Sequence, residues 1–326
     1  MRSTVSSPKS KESTYAPFGR GPFPVGVRTV EALDAARNRL FPCEIWSPET
    51  LEGSRPLIVY SHHSGGTRRA ASYLCDHLAS HGYVVAALDH SEVIAEELKG
   101  KDGETPEQLS ARVDAWVASR VPDIRFLLDH MLSAAGVHVN PDRVGIVGHS
   151  FGGWTALATP EVDSRIRAVV ALAPAGSSQP KQGVIPAKLS FNWGRNIPTL
   201  LLVAENDVPL PLEGMYDIFE RALTPKQMVI LRRADHYHFL DNAEQVHEAV
   251  RATTFPPFLA WMTEQMRPIS ELCSGAQAEL FVRGLTLCHM DATLKQQEDA
   301  RRFWVGDIKA ELAARGIDAL GQKQSA

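Results

Sequence analysis

Short apolar runs alternate along the chain with longer stretches whose apolar residues recur at helical spacing. The runs predict buried strands at residues 56–60, 83–88, 144–147, 166–172, 199–204 and 227–231. The stretches between them predict helices, notably at residues 69–81, 108–134 and 212–223. Strands that alternate with helices predict an α/β fold with a mainly parallel central sheet, right-handed crossovers and flanking helices.

The N-terminal part has a different pattern. Residues 25–33 and 39–46 alternate between apolar and polar positions, which predicts two antiparallel strands joined by a turn at residues 34–38. Residues 1–24 are polar at first and then interrupted by Gly and Pro, so we expect a disordered tail and an extended lead-in.

The pattern favours a single domain over residues 25–326. Polar, glycine- and proline-punctuated segments predict insertions near residues 91–120 and 173–197. Helical spacing resumes near the end and predicts C-terminal helices over residues 258–318. One long helix is expected at 294–315.

Two positions were expected to interrupt regular structure. Pro122 lies inside the predicted helix 108–134, where proline removes a hydrogen bond, so it should kink that helix or begin a new one. The chain was expected to fray from Gly321 onward.

Composition narrows the class of protein. The 326 residues are 44% hydrophobic with a net charge of −4, so no basic surface for nucleic acid is indicated. No apolar run approaches the ~18 residues of a membrane span. The first 14 residues lack the apolar segment of a secretory signal, and the four cysteines are too few for a disulfide framework. We therefore expect a cytoplasmic protein.

The segment 144–147 leads directly into Gly148-His149-Ser150-Phe151-Gly152, a Gly-x-Ser-x-Gly motif. Glycines on both sides of a serine permit a sharp strand-to-helix turn that presents the hydroxyl above the sheet. The apolar strand before the motif and the helix predicted after it, together with the extra Gly153, are the context that such a turn needs. Ser150 is therefore the candidate nucleophile.

Ser150, Asp207 and His236 each follow a predicted strand. The carboxyl ends of parallel strands meet at one edge of a sheet, so the three side chains are expected to converge. A neutral hydroxyl is a weak nucleophile, and an imidazole must take its proton while a carboxylate orients and stabilises that imidazole. The three residues therefore predict a catalytic triad.

Neighbouring polar residues offer alternatives that we assign to structural positions. Glu205 precedes Asp207 by two residues and is expected to face solvent or cap the next helix. Asp235 and Asp241 are predicted at the surface or at helix N-caps. His90 is interpreted as structural, and His149 is expected to pack against the sheet.

Four histidines occur as an adjacent pair, His62 and His63, and as a His-x-His, His236 and His238. They lack the carboxylate or cysteine neighbours and the helical spacing of zinc motifs. We predict neither a metal nor another cofactor.

The sequence resembles the α/β-hydrolase superfamily, and within it serine esterases of the platelet-activating-factor acetylhydrolase and predicted dienelactone hydrolase group. The resemblance extends over residues 25–255 and is most specific at Gly148 to Gly153 and the strand before it. It implies an α/β-hydrolase fold in which the nucleophile, the acid and the histidine follow in this order.

The resemblance also implies roles for individual residues. The backbone N–H groups of Ser64 and Phe151 would form the oxyanion hole. His236 would be the catalytic base because an aromatic residue follows it within a few positions, which makes His238 a residue of the pocket or its surroundings.

The chain departs from the family at two positions. Ser47 replaces the usual tyrosine after Trp46, and His63 replaces the glycine that follows His62. The bulkier His63 predicts a narrowed pocket and short acyl chains.

The combined expectation is a serine hydrolase that cleaves carboxylic esters through an acyl-enzyme. A lactonase and a noncatalytic binding protein with this fold stay open as alternatives. The expected partner is a small-molecule ester, with no nucleic acid and no membrane span, and the sequence leaves the oligomeric state open. Candidates for the substrate pocket are His62, His63, Trp154, Trp193, Tyr237 and His238, with Phe151 and Phe191 as further aromatic candidates.

Overall fold

The computed structural model describes residues 15–50, 53–101, 103–133 and 138–324. The strands are β1 Val25–Asp34, β2 Arg39–Pro48, β3 Arg55–Ser61, β4 Val84–Leu88, β5 Val139–His149, β6 Ile166–Leu172, β7 Thr199–Ala204, β8 Lys226–Leu231 and β9 Ala319–Gln324. The helices are α1 Ser72–Ser80, α2 Ser91–Ile94, α3 Pro106–Ser133, α4 Phe151–Ala158, α5 Leu212–Arg221, α6 Ala243–Arg251, α7 Trp261–Glu264, α8 Gly275–Thr293, α9 Glu298–Val305 and α10 Ile308–Ala313.

The strands form one sheet in the order β1-β2-β4-β3-β5-β6-β7-β8-β9. The strands from β3 to β8 run parallel, whereas β1, β2 and β9 join by antiparallel pairing. The predicted α/β-hydrolase fold with a mainly parallel sheet is confirmed, and the antiparallel pair β1 and β2 lies where the sequence pattern placed it.

Both faces of the sheet are covered, so its central strands carry apolar residues that are buried on both faces. In β3, Ile58 and Tyr60 contribute to the core on the face that carries α1 and α8, and Leu57 and Val59 contribute to the opposite core, beneath α3 and α4. This two-sided burial explains why the strands appear in the sequence as continuous apolar runs.

The C-terminal part differs from the prediction. The stretch 294–315 contains two helices, α9 and α10, separated at Gly306 and Asp307, and Asp307 caps α10 by accepting from Ala310 N at 3.0 Å. Residues 321–324 do not fray, because β9 pairs antiparallel with β8 at the edge of the sheet. Its polar sequence gives little strand signal, and the pairing is decided by the exposed edge of β8.

The insertion near 91–120 is mostly helix. α3 continues as one helix through Pro122, so the prediction that a new helix begins there is wrong. The residues that follow Pro122 include Ile124, Leu127 and Leu128, all fully buried against the sheet. This packing offsets the hydrogen bond that proline removes.

The lead-in 15–24 packs on the domain, and the predicted tail 1–14 lies outside the described residues. Phe18 is buried against α8 at Gly284, where a Cβ would lie 2.3 Å from the phenyl ring. Tyr15 donates to Asp291 at 3.0 Å. The lead-in is therefore part of the core on this face.

Among the described residues, no helix is both long enough and apolar enough to cross a membrane. Cys43, Cys75, Cys273 and Cys288 are all free and buried.

Asp241 caps α1 and not α6, the helix that directly follows it in the chain. Its carboxylate accepts from the N–H groups of Ser72 at 2.9 Å and Tyr73 at 3.1 Å, at the start of α1. Ala71, at the N-cap position of α1, has no side chain that could do this. The loop before α6 therefore supplies the N-terminal cap of α1, although Asp241 lies 169 residues after Ser72 and 168 residues after Tyr73 in the chain.

We predict that Asp241→Ala lowers the free energy of unfolding by about 0.5–2 kcal/mol, because two N–H groups of α1 lose their acceptor. Urea denaturation of the variant and the parent measures the difference. Asp142→Ala, at an exposed aspartate, is the control and should change stability by less than about 0.5 kcal/mol. Equal stability of Asp241→Ala and the parent would contradict the capping role.

Candidate active site

Ser150 occupies a sharp turn between β5 and α4. Its backbone has φ 59° and ψ −118°, a conformation that costs energy for any residue with a side chain. The turn is held from both sides, since Ser150 N donates to Leu172 O at 2.9 Å and Ala175 N donates to Ser150 O at 3.0 Å. The strained backbone is thus over-determined by β6 and the loop that follows it.

The glycines of the motif are required by close backbone contacts. A Cβ on Gly148 would lie 2.0 Å from Gly152 O, and a Cβ on Gly152 would lie 2.0 Å from Ser61 O at the end of β3. Any side chain at these two positions would push α4 away from the sheet. The motif therefore fixes where the Ser150 hydroxyl stands relative to β3.

Ser150, His236 and Asp207 form a continuous hydrogen-bonded chain. His236 Nε2 lies 2.9 Å from Ser150 Oγ, and His236 Nδ1 lies 2.7 Å from Asp207 Oδ2. The second oxygen of Asp207 accepts from Leu210 N at 2.7 Å, which fixes the carboxylate in the loop after β7. With Nδ1–H donating to Asp207, Nε2 is the ring atom left to accept the serine proton.

The electrostatics of this chain are set by the buried carboxylate. Burial alone would lower the pKa of His236, but the charge and hydrogen bond of Asp207 outweigh it and hold this pKa above its ordinary value of 6.5. Asp207 is 4% exposed, so water screens the pair little.

Two backbone N–H groups near Ser150 together indicate an anion-binding site. Phe151 begins α4, so its N–H has no acceptor within the helix. The N–H of Ser64 has no acceptor among the described residues. Both residues line the same cavity as Ser150. Paired free donors near a hydroxyl can hold the negative oxygen of a tetrahedral intermediate.

The cavity above Ser150 has a volume of about 250 Å³. Part of its wall is apolar and comes from residues that the sequence analysis did not name as candidates: 183–185 in the predicted insertion 173–197, Leu210 in the loop after β7, and Met262 in α7. Its lining is His63, Ser64, Ser150, Phe151, Ala175, Gly183, Val184, Ile185, Pro209, Leu210, His236, Tyr237 and Met262. The residues from 183–185 lie in the long connection after β6, where loop residues carry no periodic signal.

Four of the predicted pocket residues do not line this cavity. Trp154 and Trp193 are core residues, whose indole N–H groups donate to Lys188 O at 2.8 Å and Leu157 O at 3.1 Å. His62 is fully buried and holds the backbone of His90. His238 faces away from Ser150. These expectations are corrected, whereas His63 and Tyr237 lie in the wall.

His238 belongs to a buried cluster centred on Asp235. The carboxylate of Asp235 binds the rings of His238, at 2.7 Å, and His247, and it also accepts from Tyr237 N at 3.0 Å. Asp235 is 3% exposed and caps the short helical turn His236–Phe239. It is an N-cap residue as predicted, but not a surface residue, because two imidazoles enclose it. The cluster fixes the turn that carries His236.

Glu205 also differs from its prediction. It caps no helix, and instead accepts from Arg233 N at 2.9 Å and from Arg232 at 3.1 Å. The carboxylate thus ties the loop after β7 to the loop after β8. The loops that carry Asp207 and His236 are joined in this way.

The two remaining histidines lie where the sequence analysis placed them. His149 is fully buried, with its ring 4.7 Å from the ring of His236 and 5.5 Å from that of Phe239. Burial and the neighbouring His236 hold the pKa of His149 well below its ordinary range, so its ring is neutral. His90 is fully buried within a hydrogen-bond network.

Known proteins are similar in sequence to parts of this chain. Platelet-activating factor acetylhydrolase of Bos taurus is 26% identical over 167 residues, which is 39% of this chain and 37% of that protein. A putative hydrolase, YtaP, of Bacillus subtilis (strain 168) is 31% identical over 153 residues, 43% of this chain and 50% of that protein. The chain therefore matches well under two thirds of the length of these relatives.

A solved structure shares the fold. The ferulic acid esterase from Streptomyces cinnamoneus superposes with a TM-score of 0.62 at 24% identity, covering 84% of this chain and 91% of that one. The family described as Chlorophyllase matches residues 13–200, which is more than half of the chain. On this match the chain belongs to the Chlorophyllase family, on an α/β-hydrolase fold.

Proposed function

We propose that the protein is a serine hydrolase that cleaves carboxylic esters through an acyl-enzyme intermediate. The observation that carries this proposal is the hydrogen-bonded chain from Ser150 through His236 to Asp207, with distances of 2.9 and 2.7 Å. Relatives named as acetylhydrolases and cutinases support ester hydrolysis.

In the first half of the reaction, Ser150 Oγ attacks the ester carbonyl while His236 Nε2 takes the hydroxyl proton. The new C–O bond pushes the carbonyl electrons onto oxygen, and this oxyanion accepts from the N–H groups of Ser64 and Phe151. Asp207 stabilises the imidazolium and keeps its orientation. Collapse of the intermediate breaks the bond to the alcohol, which leaves with the proton from His236.

In the second half, a water molecule takes the place of the alcohol. His236 removes a proton from the water as its oxygen attacks the acyl carbon, and the same two N–H groups hold the second oxyanion. Collapse releases the carboxylic acid and returns the proton to Ser150 Oγ. Every proton transfer thus passes through Nε2 of one imidazole.

The substrate is proposed to be a small neutral ester with a short acyl chain. The described residues that line the cavity of about 250 Å³ include no Lys, Arg, Asp or Glu, and Val184, Ile185 and Leu210 form an apolar part of the wall. Burial, with the charges of His236 and Arg120, lowers the pKa of His63 to about 4, so the His63 ring is uncharged at neutral pH. His63 occupies space that glycine would leave open.

A cytoplasmic location stays a prediction from the sequence. Its support is the four cysteines, all free and buried.

The proposal predicts that a fluorophosphonate probe labels the parent protein at Ser150, as mapped by mass spectrometry, because only an activated serine reacts. Ser150→Ala should lose labelling and lower kcat/KM for p-nitrophenyl acetate by at least 10³-fold. Ser178→Ala, at a serine outside the cavity lining, is the control and should keep both. A parent protein that neither labels nor hydrolyses any ester would point to a noncatalytic binding protein.

The proposal also predicts a pH profile. Only neutral His236 can accept a proton, so kcat/KM should rise with pH through an apparent pKa above 6.5, because Asp207 and Asp235 favour the protonated ring. His238→Gln is the control. Burial opposes its protonation, but Asp235 raises the pKa of His238 to about 10, so this group does not titrate on the acid limb.

The measurement is kcat/KM between pH 5 and 9 for both proteins. The limb should stay in place in His238→Gln, and kcat should fall far less than in His236→Ala, for which we expect a loss on the order of 10³-fold or more. A limb that disappears with His238 instead would reassign the base.

Acyl preference is predicted from the narrowed cavity. With p-nitrophenyl esters from acetate to palmitate, kcat/KM should be highest for acetate to butyrate. His63→Gly should raise the relative rate on longer chains by enlarging the cavity, whereas His138→Gly, at an exposed histidine, should not. Equal activity of the parent on the acetate and palmitate esters would contradict the proposal that His63 narrows the cavity.

A further inference from the structure

A fully buried arginine lies behind the loop that follows β3. Arg120, on α3, is 0% exposed. Its guanidinium donates to His62 O at 2.5 Å and to His63 O at 3.2 Å, and it pairs with Glu92. The same group stacks on the ring of Phe151 at 4.3 Å. One cation therefore contacts the backbone of the loop that carries the Ser64 N–H and the side chain of Phe151, the residue that carries the other free N–H group.

We propose that Arg120 is a positioning residue that orients and polarises the Ser64 N–H as an oxyanion donor. This inference rests on the proposed ester hydrolysis and assigns a role to a residue outside the triad.

The argument depends on the geometry of one peptide unit. His63 C=O and Ser64 N–H belong to the same planar, trans peptide group, so they point in opposite directions. Arg120 holds the carbonyl oxygen, as does His62 Nδ1 at 2.7 Å. Gly66 N, later in the same loop, donates to this oxygen as well, at 3.1 Å. With the oxygen held by these three donors, the N–H is directed to the opposite side, where Ser64 lines the cavity.

The charge acts in the same direction as the geometry. A cation that binds a carbonyl oxygen draws electron density through the amide and strengthens its N–H as a donor, and a low-dielectric interior preserves that effect. Removing one oxyanion donor commonly costs on the order of 10²–10³ in kcat. Without Arg120, the Ser64 N–H would be misdirected and unpolarised, so a large part of this contribution to kcat should be lost.

Hydrogen bonds from surrounding groups hold the ring of His62 in place. His90 binds Ser61 Oγ through Nε2 at 2.8 Å and Asp123 through Nδ1 at 3.1 Å. The backbone N–H of His90 donates to His62 Nε2 at 3.0 Å. This network therefore fixes the ring of His62, the second donor to the His63 carbonyl.

A metal centre is the competing interpretation, since ligand atoms of His90, Glu92 and Asp123 lie within 4.8 Å of one another. Arg120 binds Glu92, and Arg37 binds Asp123 at 2.6 Å. Two guanidinium groups thus neutralise the two carboxylates, and both nitrogens of His90 have partners. The chemistry of the cluster is that of a hydrogen-bond network.

Sequence periodicity contains a signal for the burial of Arg120. Trp116, Arg120 and Ile124 are four residues apart, which places Arg120 in phase with the apolar face of α3. A charged residue at such a position requires a buried partner.

The test compares two variants because truncating Arg120 alone would leave Glu92 as a buried unpaired charge. Glu92→Gln is the reference, and Glu92→Gln with Arg120→Met is the test protein. Arg195→Met is the control, since Arg195 also binds backbone carbonyls, of Asp163 and Ile166, away from the cavity. Thermal unfolding verifies that each variant is folded.

We expect the double variant to lose on the order of 10²-fold in kcat relative to Glu92→Gln, with KM changed less than threefold. A trifluoromethyl ketone forms a tetrahedral adduct with the serine, so its inhibition constant should weaken in parallel with kcat/KM across the variants. The acid limb of the pH profile should not move, because His236 is untouched. General loosening of the fold would not produce this combination.

A folded double variant with kcat within threefold of the reference overturns the inference, as does a loss of kcat with no weakening of the trifluoromethyl ketone. If the double variant does not fold, Arg120→Lys replaces it, because an ammonium reaches one carbonyl and cannot stack as a planar fork. At least tenfold lower kcat is then expected, and an unchanged kcat overturns the inference. Failure of the proposed function is distinct, since the parent itself would be inactive.

Discussion

The strained backbone of Ser150 is the constraint on which the arrangement of the site depends. A residue with a Cβ stays at φ 59° only where its surroundings leave no relaxed alternative. Those surroundings are β5 before it, α4 after it, and the backbone of β6 and its following loop, which bind its N–H and C=O. Gly148 and Gly152 permit the contact because neither carries a side chain. The position of the hydroxyl is therefore a property of the sheet.

The other members of the site reach Ser150 through the parallel order of the strands. β7 and β8 end at the same edge as β5, and their loops carry Asp207 and His236. These loops are held by further buried or half-buried carboxylates: Glu205 joins one to the other, and Asp235 binds His238 and His247 behind the turn of His236. Polar groups taken from water are stable in such places only when they are paired, and here each serves to fix a loop.

Buried charge on the opposite side of Ser150 follows the same rule. Arg120 with Glu92, and Asp123 with Arg37, lie beneath the loop after β3, where an apolar core would pack at lower cost. A guanidinium that binds two consecutive carbonyl oxygens holds a loop more firmly than apolar contacts do, since hydrogen bonds have direction. We infer that directional control of the Ser64 peptide is what this ion pair contributes.

Sequence periodicity was sufficient for most of the architecture. Strands buried on both faces appear as apolar runs, so β3 to β8 and a mainly parallel sheet could be predicted, and the Gly-x-Ser-x-Gly motif located the turn at Ser150. The pattern of apolar runs did not predict β9, whose polar residues pair only because β8 offers an open edge. It also allowed a new helix to begin at Pro122, although the packing of the residues that follow Pro122 maintains α3 as one helix.

Within the site, local sequence determined the triad candidates, because each directly follows a predicted strand. It could not determine which polar side chains turn inward. His238 faces Asp235 and Cys273 O, Asp241 caps α1, and Arg120 reaches across to the loop after β3, each through partners distant in the chain. The pocket wall at Val184 and Ile185 likewise comes from a loop without periodicity, and Met262 comes from the four-residue helix α7. Motif and periodicity are local properties that the chain carries by itself, whereas hydrogen-bond partners and cavity walls depend on distances that only the folded tertiary structure establishes.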